Sequence, residues 1–293
     1  GMIRTLTCMP VLFLAILSST ALMACSTDDH TAQSNATPSA ESNKPLTATT
    51  SQPETQLHTV RTADETARDQ YRHPAETLMF FEIEQEHTVV EIWPGKGWYT
   101  AVLAPYLRKN GQLIAAHFAQ ESPVKFFRNA RQEFEQRFLN KPELFGNLQI
   151  TELAPPELIH IAPAGMADRV LTFRNVHNWM RNNQEQNVFD AAYRALKPGG
   201  ILGVVEHRAP ADFSREQMVE SGYVSVAYVT QLAINSGFEP AGQSEVNANP
   251  KDTRDHANGV WSLPPSLRGG DIQKDTYLAI GESDRMTLKF VKP

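Results

Sequence analysis

Glu91, Gly95 and Gly97 sit in the run Val89-Val90-Glu91-Ile92-Trp93-Pro94-Gly95-Lys96-Gly97-Trp98-Tyr99-Thr100, where an apolar stretch gives way to an acid, a Gly-x-Gly turn and a helix start. A strand that reverses tightly into a helix while its backbone approaches a ligand needs residues without a Cβ at the close points. The chemistry such a loop serves is the binding of a nucleotide cofactor. The pattern alone has little specificity; its weight comes from the α/β spacing that follows it. His177 comes next, because it follows a predicted strand whose end faces the same edge. A base of near-neutral pKa there could take a proton from an oxygen or nitrogen nucleophile, although a loop histidine serves equally as a structural hydrogen-bonding group. Tyr71 and Arg72, in Tyr71-Arg72-His73-Pro74, either reach over that edge, with Arg72 pairing a carboxylate, or form a solvated helix face ending at Pro74.

The four tryptophans, Trp93, Trp98, Trp179 and Trp261, all fall at predicted loop ends. Converging, they would wall a pocket suited to a cation; apart, they supply buried area under loops. Glu206-His207-Arg208 ends another predicted strand, where it lines a substrate or satisfies strand-end backbone groups. None of the nine histidines is at His-x-x-x-His spacing, and both cysteines, Cys8 and Cys25, lie near the start of the chain, so no metal site is expected. Asp252-Thr253-Arg254-Asp255-His256 reads as a charged loop, and Arg285 as a local partner of Asp284 that holds the final strand.

Positioning these residues requires a folded region, and the chain divides accordingly. Gly1 reads as a cloning remnant. Met2-Ile3-Arg4 and the apolar stretch from Val11 to Ala24 have the n-region and h-region of a secretory signal, and Leu22-Met23-Ala24-Cys25 has the form of a bacterial lipobox. The alternative is an uncleaved anchor helix, for which the apolar run is short. Residues 1–25 are thus expected to be a signal peptide, with membrane attachment through lipidated Cys25. Residues 26–60, rich in Ser, Thr, Ala, Gln, Asn and Pro, form a disordered tether, and Ser26 favours sorting to the outer membrane, on the periplasmic side. Residues 61–293 suffice for one α/β domain. The net charge of −6, with both signs interspersed, provides neither a basic stripe for nucleic acid nor a polybasic face for anionic lipid.

Within that domain the apolar periodicity predicts two short helices over Ala63–Phe81 meeting at Pro74 as a lid, then strand Thr88–Trp93 and a helix from Trp98 to Arg108. Strand Gln112–His117 is followed by Ser122-Pro123 as the cap of helix Val124–Phe138. Strands Leu148–Leu153 and Arg169–Phe173, helix Glu185–Leu196 and strand Ile201–Glu206 continue the alternation. A helix over Val219–Ser236 and two closing strands, Glu239–Val246 and Met286–Val291, complete it. Short connections between alternating strands and helices indicate a doubly wound parallel sheet.

Three further motifs carry a family likeness. Glu91-x-x-x-Gly95-x-Gly97 after the first strand, Arg174-Asn175-Val176-His177-Asn178-Trp179 after the fourth, and Leu196-Lys197-Pro198-Gly199-Gly200 before the fifth resemble a class I S-adenosylmethionine-dependent methyltransferase. Gly281-Glu282-Ser283-Asp284-Arg285-Met286-Thr287-Leu288 narrows the resemblance to a group of exported predicted methyltransferases. The resemblance covers most of residues 61–293. It implies a mostly parallel, seven-stranded Rossmann-like sheet with the last strand or strands antiparallel, and S-adenosyl-L-methionine as cofactor. It also implies cofactor contacts from Glu91, Trp93, Pro94, Gly95 and Gly97, from Tyr99 and Thr100 at the helix start, and from His117 and Asn175 at the ends of the second and fourth strands. His177, Tyr71 and Arg72, singled out above from the residues themselves, are the candidate catalytic group, acting on a small acceptor that the sequence does not identify.

The chain departs from the family pattern at two of these positions. Trp93 stands where the loop's first glycine is expected, so its indole either points away or fills cofactor space. His117-Phe118 stands where an acid normally accepts from both ribose hydroxyls, and Glu121 is a possible substitute one turn on. The two resulting readings are an envelope-anchored methyltransferase and a non-catalytic envelope protein that binds another small molecule in a repurposed fold.

Overall fold

A computed structural model describes residues 60–293; the signal segment, Cys25 and the tether to residue 59 lie outside the described residues. Three short helices come first, α1 (Ala63–Thr66), α2 (Asp69–Arg72) and α3 (Pro74–Phe80). Thr62 and Glu65 cap α1 reciprocally, and His73, at φ 42°, turns α2 into α3. The expected pair of helices is therefore three, with the break at His73 rather than at the proline alone.

Strand β1 (Thr88–Ile92) leads into α4 (Thr100–Leu107), β2 (Gln112–His117), α5 (Lys125–Phe138), α6 (Pro142–Phe145), β3 (Leu148–Glu152) and β4 (Ala167–Phe173). Then follow α7 (Val176–Met180), α8 (Glu185–Ala195), β5 (Leu196–His207), α9 (Arg215–Ser221), α10 (Val226–Ser236) and β6 (Glu239–Ser244). The chain closes with a 3-10 turn over Gly259–Ser262, α11 (Lys274–Ile280) and β7 (Arg285–Val291). The seven strands lie in the order β3-β2-β1-β4-β5-β7-β6, and β7 alone runs antiparallel to its neighbours.

Both faces of the sheet are covered, which is why its strands read as unbroken apolar runs. From β1, Val90 and Ile92 join the cluster under α7, α8 and α10, while Val89 joins the one formed with α3, α4 and α5 around Phe81, Phe134 and Phe138. Among the described residues no helix is long and apolar enough to cross a membrane.

Local chemistry overrides the expected boundaries in several places. Ser122 does not cap α5: its Oγ accepts from the Val124 N–H at 3.2 Å while Val124 is still extended, so the helix starts at Lys125. The helix expected over Val219–Ser236 is two, because Gly222, at φ 78°, ends α9 and Ser225 opens α10. The polar stretch before β7 holds α11, which the sequence reading left without an element. β6 is an exposed edge strand with an irregularity at Pro240 and Gly242.

Candidate active site

The carboxyl ends of β1 and β4, adjacent in the sheet, feed α4 on one face and α7 on the other, and the crevice of a doubly wound fold opens where such connections diverge. A cavity of about 340 Å³ lies there, with Glu91, Pro94, Gly95, Tyr99, Arg174 and Asn175 in its wall. Gly95 has φ 61°, and a Cβ at that position would meet nothing within 4 Å, so the backbone turns its bare side to open space. Gly97 does something else. A Cβ there would overlap the Phe138 ring, so this glycine lets the loop seat on α5, and a branched side chain would break packing rather than fill ligand space.

Glu91 is buried, and its Oε1 accepts from the Thr100 hydroxyl at 2.5 Å. Burial pushes its carboxyl up to about 7, against the opposing pull of the Thr100 hydrogen bond and the Arg174 charge. Tyr99 stacks on Phe173 with centroids 3.6 Å apart and donates its hydroxyl to the Arg72 carbonyl at 3.1 Å. The lid helices and the floor of the cavity are thereby joined. Asn175 donates from Nδ2 to the Ile92 carbonyl at 3.2 Å, tying the end of β4 to that of β1.

His117 has a task other than the one expected of it. Its Nδ1 accepts from the Phe118 N–H at 2.7 Å, which makes Nε2 the protonated nitrogen that donates to the Gly95 carbonyl at 2.9 Å. Burial pulls its pKa down to about 4. His117 braces the glycine turn from behind and has no acceptor left for a ribose hydroxyl. Glu121 is exposed and lines neither this cavity nor its neighbours.

The Trp93 indole points out of the loop toward β3. It donates from Nε1 to the Leu153 carbonyl at 2.9 Å and meets Phe118 and Trp179 with ring centroids 4.8 and 5.9 Å away. It also forms part of the wall of a second, largely apolar cavity of about 320 Å³, with Phe118, Leu153, Asn178 and Trp179. Trp179 keeps a buried Nε1 without a partner there. Trp93 is the residue the two cavities share. The tryptophans therefore converge only in part: Trp93 meets Trp179 in the second cavity and shares the wall of the first with Trp98. Trp98 lies beneath the Arg61 and Arg72 guanidiniums, each 4.6 Å from its centroid, and Trp261 belongs to a third cavity.

That third cavity, about 190 Å³, adjoins the first through Arg68, Arg72 and Arg174 and includes His177 and His207. His177, buried at the start of α7, has Nδ1 3.0 Å from Glu206 Oε1. The carboxylate also accepts the backbone N–H groups of His177 and His207, at 3.1 and 2.8 Å. A carboxylate can only accept, so Nδ1 carries a proton and, in the neutral ring, Nε2 holds the lone pair. His207 bonds through Nδ1 to Ser283 Oγ at 2.5 Å, and burial, then His177 and Arg285, hold its pKa well below the ordinary value. His177, Glu206 and His207 are close enough to share a cation. Sequence spacing could not show this, because they come from two elements. With both Nδ1 atoms engaged and arginines in the same wall, the trio is organised for hydrogen bonding.

Tyr71 does not reach either cavity; its ring packs where a Cβ on Gly281 would lie. Arg72 does, buried and 3.4 Å from Glu282. Arg285 pairs with Glu282 at 2.7 Å and not with Asp284, which instead holds Arg208. Asp252 is no loop charge: buried, it accepts from the Tyr223 hydroxyl at 2.8 Å and from the Asp284 N–H at 2.9 Å. Arg68, Arg174 and Glu282 are site residues that the sequence reading did not single out.

No family model matches the chain, and no curated protein matches it by sequence. Among solved structures it is similar to a SAM-dependent methyltransferase from Aquifex aeolicus, with TM-score 0.51 and 14% identity over 82% of this chain and 98% of that one. It is also similar to a candidate sarcosine dimethylglycine methyltransferase from Galdieria sulphuraria, with TM-score 0.50 and 13% identity over 75% of this chain and 83% of that one. The fold is that of the class I S-adenosylmethionine-dependent methyltransferases. At these identities the likeness is one of fold. The Gly95 cradle and the arginines face one cavity, the apolar cavity past Trp93 adjoins it, and His117 is committed to Gly95.

Proposed function

We propose that this chain binds S-adenosylmethionine along the carboxyl edge of β1 and β4 and transfers its methyl group to an oxygen or nitrogen of a small acceptor. The observation that carries the reading is Gly95, whose bare backbone faces a cavity with a carboxyl group (Glu91) and a guanidinium (Arg174) in its wall. When bound, the cofactor supplies a sulfonium-activated methyl group. Glu91 is placed to accept from its ammonium and Arg72 or Arg174 to hold its carboxylate, and the aromatic cavity bounded by Trp93 and Phe118 takes the base. His177 Nε2 is the atom that receives the acceptor's proton, with Glu206 fixing the ring. The lid helices α1 to α3, joined to the floor through Tyr99, keep water from the edge.

Calorimetric titration of the protein with S-adenosylmethionine and S-adenosylhomocysteine tests this. Saturable heat, abolished in Gly95→Val while the variant still unfolds cooperatively, is expected; absence of binding at millimolar ligand overturns the reading. The signal segment and lipobox further support an envelope protein anchored through Cys25, of the exported group the sequence resembles. Incorporation of a labelled lipid precursor into the wild type, and its loss in Cys25→Ala, is the expected result.

A further inference from the structure

The third cavity carries a charge imbalance that the fold leaves uncompensated. Arg68, Arg72, Arg174 and Arg285 line it, and Glu282 is the carboxylate that Arg68, Arg72 and Arg285 share. Glu282 is saturated: Arg68 holds both its oxygens at 2.9 and 3.0 Å, and Oε1 also takes Arg285 at 2.7 Å and Arg72 at 3.4 Å. Burial would raise its pKa, but Arg68, Arg285 and Arg72 together hold it well below the carboxylate range.

Donors remain after Glu282 is served. Arg285 is 2% exposed, and its Nε and Nη1 are buried without any partner. Among the described residues no carboxylate or carbonyl pairs with the Arg174 side chain, although Arg174 stands at the end of β4 with φ 60° and belongs to the wall of both polar cavities. Leaving buried charged donors unpaired is costly in any folded protein. These donors share one small chamber with His177, Trp261 and Pro264.

We propose that this chamber binds the oxyanion group, a carboxylate or a phosphate, of the methyl acceptor, with Arg285 and Arg174 as its ligands and Trp261 and Pro264 against its apolar part. That the anion belongs to an acceptor rests on the methyltransferase reading; that the chamber binds an oxyanion does not. A bidentate guanidinium suits both groups. About 190 Å³ suits the oxyanion end of a small molecule. The placement also puts a substrate anchored by Arg285 beside His177, the base of the site.

The test is the thermal midpoint of the full-length protein titrated with inorganic phosphate and, separately, with succinate, at ionic strength held constant with chloride. Wild type is expected to rise with one or both anions and not with chloride, phosphate alone indicating a phosphorylated acceptor and succinate alone a carboxylate. Arg174→Met is expected to weaken the anion by about ten- to a hundredfold, the size of a lost charge-assisted contact. Without anion it should be about as stable as wild type, since no pairing of its guanidinium among the described residues is lost; a merely structural arginine would instead destabilise on removal. Arg285→Lys should weaken binding too, and Lys125→Gln, at an exposed position on α5, should leave it unchanged. No response beyond chloride, or an unaltered response in Arg174→Met, overturns the proposal. Parallel titration with S-adenosylhomocysteine separates the two claims: cofactor binding without anion binding defeats this site alone, whereas anion binding without cofactor binding keeps the site and defeats the methyltransferase reading.

Discussion

Glu91 lets the energetics of the cofactor edge be measured without knowing the acceptor. Its carboxyl rises from an ordinary 4.5 to about 7, chiefly through burial. The folded protein therefore holds a proton that the unfolded chain has released over that interval, and stability contributed by this group falls as pH climbs from about 4.5 to 7. The full difference, reached above pH 7, is about 3 kcal/mol. Glu91→Gln keeps the shape and an oxygen for the Thr100 hydroxyl while removing the charge. It should match wild type near pH 4.5 and exceed it by about 3 kcal/mol at pH 8, or about 5–10 °C in midpoint for a domain of this size. The quantity to read is the difference between variant and wild type in urea unfolding from pH 4.5 to 8. His117 and His207, whose depressed pKa values give slopes of opposite sign, cancel in that difference. Binding should go the other way: an ammonium lying against Glu91 favours the carboxylate, so S-adenosylhomocysteine should bind wild type with proton release near pH 6 and bind Glu91→Gln more weakly. A difference curve that is flat with pH, or a variant less stable at pH 8, would refute the assignment of a strained buried carboxylate.

Three other outcomes follow from contacts already described. Glu206→Gln places an amide nitrogen where three N–H donors converge, and should cost about 2–4 kcal/mol in urea unfolding besides slowing any transfer that His177 assists. Gly97→Val should lower the soluble, cooperatively folding fraction because its side chain overlaps Phe138, whereas Gly95→Val meets open space, carries only the backbone strain of its φ of 61°, and should lose binding before it loses the fold. His117→Gln can still donate to the Gly95 carbonyl, so it should retain the fold while removing the rise in stability between about pH 4 and 6.5 that a buried neutral histidine contributes.

The sheet was legible in the sequence because β1, β2, β4 and β5 are buried on both faces and so read as apolar runs, and because Gly95 and Gly97 mark the one turn where backbone must go bare. Gly222 was the clue to the α9 break, but a glycine inside an apolar helical pattern does not announce its φ. The N-cap at Ser122 misled because Ser-Pro suits a turn as well as a first helical turn, and here the turn won. Arg174 lies within the motif that follows the fourth strand, where nothing marks it as a charge without a partner. Nothing local distinguishes it from a solvated arginine: its isolation depends on Glu282, 108 residues further along the chain, being already taken. Ion-pair allegiance across a sheet is a property of topology. Arg285 was assigned to its sequence neighbour Asp284 for the same reason.

Several unfavourable terms of this structure stand at one edge of the sheet. Trp93 and Arg174 hold left-handed backbone at φ 44° and 60°, Glu91 is buried with a displaced pKa, and Arg285 keeps two unpartnered donors. All four stand at the carboxyl edge of the parallel strands, where β7, running antiparallel, places its first residue opposite His207. Left-handed backbone at a residue with a Cβ costs about 1–2 kcal/mol, and packing for stability alone would have removed it by glycine at both positions. For Trp93 the compensation is visible, in the Leu153 hydrogen bond and the aromatic contacts. For Glu91 it is partial, one hydrogen bond from the Thr100 hydroxyl, for Arg285 it is the Glu282 pair through Nη2 alone, and for Arg174 no side chain of the described residues supplies it. A carboxyl and a guanidinium in the wall of one chamber, with the two unpartnered donors of Arg285 in the wall of the next, suit the two ligand groups proposed above, an amino-acid end and an oxyanion.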